Sequence, residues 1–266
     1  MFQQRYLIGG IPAFTNGTGS GAATDMQSKT LCVVVLVGLV GITIGVPLVY
    51  SHVVRSQEEV MAPKGEYADI DMALVNKAMQ SLKTGTDQQR QIMIRQILAA
   101  PEKYAPVVFF ALSESLFKEG KKDDAVFWFY AGDLRARFDA GRCADESARQ
   151  GVDLLQLQYG PMINQYLAQD FGKVEAVLAK VIEWDRKTPH EYDHRWINLH
   201  GMGAVMAGMN LPAASGQSPA LSLPQNQWKG IAEKTRSDYL AGFHKAVEQI
   251  KKASAKAEEK RSSETP

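Results

Sequence analysis

The chain has 266 residues, 45% of them hydrophobic, and its 30 basic and 29 acidic side chains leave a net charge of +1. That balance excludes the broad electrostatic footprint of a nucleic-acid-binding protein, so no nucleic acid is expected as a partner. Two cysteines, Cys32 and Cys143, exclude a disulfide framework.

Residues 1–30 are expected to be a disordered N-terminal segment, because 8–24 are rich in Gly, Ser and Thr and have no apolar period. Met26, followed by Lys29 and an apolar run, reads as a natural start. That would make residues 1–25 an extension.

Leu31–Tyr50 carries no charge and as a helix spans about 30 Å, the thickness of a bilayer's hydrocarbon core. It predicts one transmembrane helix. No small-x-small site ends it, since Pro47-Leu48-Val49-Tyr50 is bulky, so an uncleaved signal anchor is expected. A short N-terminus before a large C-terminal domain places that domain on the exported face of an inner or plasma membrane. In a bacterium that face is the periplasm.

A linker is expected over 51–65 and a helical domain over 66–253. Asp69 is a candidate cap for a helix through Lys83, with Ile70, Leu74, Met79 and Leu82 inward. Thr86 or Asp87 caps the next, which stops before Pro101. A third runs from Pro106, at its first turn, to Lys118. Further helices are expected over 122–138, 144–159, 170–186 and 226–252, with Pro161 restarting a short one. Leu211–Pro224 reads as irregular, and 254–266 as a disordered tail. No alternating pair of runs predicts a hairpin, so the class is all-α.

Leu112, Leu116, Gly120, Ala125, Phe129 and Gly132 fall at spacings that resemble a single tetratricopeptide or Sel1-like repeat over about 109–132. Phe109 stands at that family's early Trp position. The resemblance implies a helical array that binds protein. An ordinary antiparallel helix pair in a bundle explains the same spacing.

Phe127, Trp128, Phe129 and Tyr130 point in four directions on one helix, so they cannot share one inward stripe. They meet a second helix layer or form a contact surface. With Trp196, three of them (Phe127, Trp128 and Tyr130) are the candidate protein-binding residues.

His190-Glu191-Tyr192-Asp193-His194 is a literal HExxH, and His200 follows at the offset of the metzincin metallopeptidases. That resemblance implies zinc on His190, His194 and His200, with Glu191 as general base. The family's Gly position is Ile197, and the segment Thr188-Pro189-His190-Glu191 also reads as a helix-capping sequence.

Two functions are therefore expected from the sequence. The first is a membrane-anchored, non-enzymatic helical domain without cofactor that binds another protein, such as a secreted toxin or an envelope component. An immunity-type inhibitor and an envelope scaffold are examples of that role. The alternative is a membrane-anchored zinc metallopeptidase.

Overall fold

A computed structural model of the chain describes residues 62–167, 170–212 and 220–264. The expected span at 31–50, the segment before it and most of the 51–65 linker lie outside the described residues. Among the described residues the fold is all-α, and no helix is long and apolar enough to cross a membrane. The only extended pairing there is an isolated bridge between Cys143 and Ser222.

Among the described residues eight α-helices follow one another: α1 (Ala73–Lys83), α2 (Asp87–Ala99), α3 (Pro106–Lys118), α4 (Lys122–Arg142), α5 (Gln150–Leu167), α6 (Phe171–Lys187), α7 (Met202–Gly208) and α8 (Trp228–Glu264). Short links join α1 to α2, α3 to α4 and α5 to α6. Each of these pairs packs together, and α1, α3 and α5 also touch in series.

α3 and α4 form the centre. α3 is apolar around nearly its whole circumference and accordingly buried on most of it. α4 packs against α3, α5, α6 and α8. The turn between α3 and α4 is closed by Gly120 at φ +80°, a conformation that a side chain resists. Ala125 is fully buried, and Ser113 Oγ donates to its carbonyl at 2.7 Å. The helix-turn-helix expected over 109–132 is thus present.

Several boundaries differ from the sequence reading. Asp69 does not cap α1; it ends a 3-10 turn (Gly65–Asp69), and Asp71 Oδ1 accepts from the Ala73 N–H at 2.9 Å. Pro161 restarts nothing and lies inside a continuous α5. It sits on the exposed side of that helix, where water can satisfy the Leu157 carbonyl that lost its donor. α8 continues to Glu264 through the tail expected to be disordered, in a stretch of strong helix formers. Leu74, expected inward, is exposed.

The expected start of α2 is present in full. Thr86 accepts from Gln89 N–H, and the Gln89 side chain accepts from Thr86 N–H. Thr86→Ala should therefore cost about 1 kcal/mol in a denaturation experiment. An unchanged midpoint would show that α2 is held by packing alone.

Candidate functional site

The four-aromatic run is resolved by helices on several sides. Phe127 and Trp128 pack around Trp184 of α6, at 5.8 and 5.5 Å between ring centroids, and Trp128 also meets Phe109 of α3 at 5.0 Å. Phe129 packs edge-on against Phe110 at 5.4 Å. Tyr130, half-buried, lines an open cleft. Trp196 lies elsewhere, 1% exposed, with its indole N–H donating to Asp139 Oδ2 at 2.7 Å. Of the candidate contact residues, Trp128 and Trp196 are buried and Phe127 is half-buried against the core.

The HExxH segment is not helical. Thr188 ends α6 and does not begin a helix; the residue before a proline is disfavoured in α conformation. Residues 189–193 belong to no helix or strand and bend at Tyr192, and Asp193 caps a 3-10 helix (His194–His200) by accepting from Arg195 N–H at 2.9 Å. His190 and His194 therefore do not share a helical face.

The imidazoles engage different partners. His190 Nε2 is 3.0 Å from Asp185 Oδ1, and His194 Nε2 is 2.8 Å from Ser222 Oγ. His200 packs between Trp196 and Gly151 of α5, where a Cβ at 151 would lie 2.8 Å from the ring. Burial pushes His200 down to about 4, so it is neutral at physiological pH. His194 is also pushed down, by burial and then by Arg142. Glu191 is exposed, and its N–H donates to the Glu102 carbonyl at 2.8 Å. Among the described residues, no group of three His, Cys, Asp or Glu side chains is placed to hold a metal ion.

His190 instead belongs to an ionic hub. Asp185 accepts from Arg135 Nε at 2.9 Å and from Arg236 at 2.9 and 2.7 Å, joining α4, α6 and α8. Arg135 also donates to the Thr188 and Pro189 carbonyls, at 2.7 and 3.2 Å, and so holds the end of α6. Burial alone would raise Asp185, but the hydrogen bond and charge of His190, with Arg135 and Arg236, hold it down at about 2.

Beside this hub, α4, α6 and α8 enclose an open cleft of about 410 Å³. Tyr130, Tyr239, Phe243 and Leu178 form its apolar wall, and Asp133, Arg137, Thr235 and Asp238 supply its polar groups. Asp133 is buried and accepts from Arg137 Nε at 3.1 Å and Gln156 Nε2 at 2.6 Å. Tyr239 donates to the Tyr130 carbonyl at 3.4 Å. Burial, then Asp133, pushes Tyr130 up to about 12 and Tyr239 well above its usual value. Both phenols stay protonated. They offer hydrogen bonds and aromatic surface, and they are no use as bases near neutral pH.

Of the cleft residues, sequence reasoning named only Tyr130. Asp133 and Arg137 share its helix, and the rest come from α6 and α8, far along the chain. The one local signal was Asp133, Arg135, Arg137 and Asp139 breaking into an otherwise apolar helix. No protein family, curated protein or solved structure matches the chain.

Proposed function

We propose that the chain is a membrane-anchored, non-enzymatic helical domain that binds another protein, with the α4–α6–α8 cleft as the seat of the contact. The observation that carries this reading is the cleft itself. Its aromatic wall and few convergent polar groups suit an inserted anchor side chain, and neither phenol changes charge near neutral pH. The stacked helical hairpins fit the tetratricopeptide-like resemblance. The partner would lie on the exported face, in the class of a secreted toxin or an envelope component.

The test is site-specific photo-crosslinking in the membrane, with the photoreactive residue at position 238 on the cleft rim. One discrete protein adduct is expected there and none at position 122. Tyr239→Ala should abolish the adduct, because it removes one wall of the cleft. Equal, diffuse labelling at both positions would refute the cleft as the contact.

The zinc peptidase alternative is checked on the same full-length protein by elemental mass spectrometry. Near-stoichiometric zinc that disappears in both His190→Ala and His194→Ala would put the peptidase reading first.

A further inference from the structure

Between Arg195 and Lys229 the sequence has no Asp, Glu, Lys or Arg, although charged residues make up 22% of the chain. The middle of this stretch folds as α7 and ends in a Schellman turn. The Leu211 N–H donates to the Met206 carbonyl at 2.9 Å and the Asn210 N–H to the Ala207 carbonyl at 3.0 Å. Asn210 has φ +56°, a left-handed conformation that asparagine tolerates.

The two sides of α7 differ. Ala204 and Ala207 pack with Tyr67, Ile70, Leu199 and Leu221 in a small cluster of their own. The other side leaves Met202 at 58%, Met209 at 50% and Leu211 at 47% exposed. The incoming chain is tied to the edge of this face: the Lys64 ammonium donates to Asn210 Oδ1 at 2.9 Å. Residues 51–63 connect the end of the apolar run at Tyr50 to Lys64. Fully extended, that stretch reaches about 45 Å.

We propose that the α7 face, Met202, Met209 and Leu211 with Lys64 at its edge, lies in the headgroup zone of the membrane that anchors the chain. The proposal rests on the reading of Leu31–Tyr50 as a span. Met202, Met209 and Leu211 come from a stretch without Asp, Glu, Lys or Arg, so they enter that zone without the desolvation cost of an ionised side chain. Methionine side chains are flexible enough to follow a fluid surface. Lys64 can leave Asn210 and extend its ammonium to a lipid phosphate. The tether makes the contact intramolecular, so a small apolar area suffices and its effect is to orient the domain. Among the described residues, Leu74 on α1, Ile92 and Leu98 on α2, and Leu154 and Leu157 on α5 are exposed as well.

The test uses the full chain, in a Cys32→Ser background, reconstituted in phosphatidylcholine–phosphatidylglycerol vesicles. An environment-sensitive dye is attached at Met209→Cys or, as a control, at Lys122→Cys. Burial pushes the Cys143 thiol up to about 11, so it does not compete for the dye. Lys122 begins α4, about 30 Å from its far end, where the Arg142 carbonyl accepts from the Leu223 N–H near the α7 cluster.

The dye at 209 should shift to the blue and be quenched about twofold by lipids carrying a headgroup-level nitroxide, with no change at 122. Met202→Glu with Leu211→Glu should abolish the quenching while the chain still resists carbonate extraction. Water-like emission at both positions in carbonate-resistant protein overturns the lipid contact and leaves the span standing. Extraction of the chain by carbonate overturns the span, and the proposal with it. Protection at 209 in detergent that grows with protein concentration gives the face to a second copy and overturns the lipid as occupant.

Discussion

Asp185→Ala should destabilise the helical domain by about 3–5 kcal/mol, the cost of breaking a buried ion pair from one side. Arg135 is 0% exposed, and its Nε would lose the carboxylate 2.9 Å away. Arg236 and His190 would lose the same partner. Arg135 would keep the Thr188 and Pro189 carbonyls and the face of Trp184, too little to balance a desolvated charge. Replacing both members, Arg135→Met with Asp185→Leu, should recover much of the loss, because no charge then remains buried. The measurement is the denaturation midpoint of the full chain followed by helical circular dichroism. A single variant no less stable than the double would show that the charges are not coupled.

The same carboxylate predicts an acid limb. Asp185 is held at about 2 in the folded protein against 3.8 ordinarily. A depressed carboxylate stabilises the fold above its unfolded pKa. That stabilisation is lost as pH falls from about 4 towards 2, and amounts to roughly 2 kcal/mol. Asp185→Asn, which cannot titrate, should lose less stability than wild type across that window. Superimposable acid limbs would assign acid unfolding to other carboxylates.

Trp196→Ala should cost a similar amount, about 3–5 kcal/mol, by emptying one of the largest fully buried sites. The indole N–H also donates to Asp139 Oδ2, while Arg142 donates to Oδ1 at 2.6 Å. Trp196→Phe keeps most of the volume but removes that donor, so about 1–3 kcal/mol should remain as the cost of an under-satisfied buried carboxylate. The two variants separate packing from hydrogen bonding by their denaturation midpoints. Wild-type stability in Trp196→Ala would return the residue to the surface role expected from the sequence. Loss of partner binding in that variant, with the fold lost as well, would say nothing of a contact.

Local sequence determined the elements. Apolar spacing and punctuation by Thr86, Pro106 and Gly120 gave α2, α3 and the α3–α4 turn almost to the residue, because capping and turn chemistry act over three or four positions. The four-aromatic run also stated a requirement that the fold meets: more than one neighbouring layer.

What the local pattern misjudged was context. HEYDH has the spacing of a helical metal site, but Pro189 and the grip of Arg135 on the end of α6 keep residues 190–193 out of an α-helix. Asp69 has a capping side chain, but the chain turns again before α1 begins. Tertiary structure alone decided that Asp185 would face Arg135 and Arg236, and that Tyr239 and Phe243 would wall a cleft with Tyr130. It also decided that Lys64 would meet Asn210. The physical reason is distance along the chain: helix formation is written in neighbours three and four apart, whereas these contacts join residues tens to more than a hundred positions apart and exist only once α4, α6, α7 and α8 have packed.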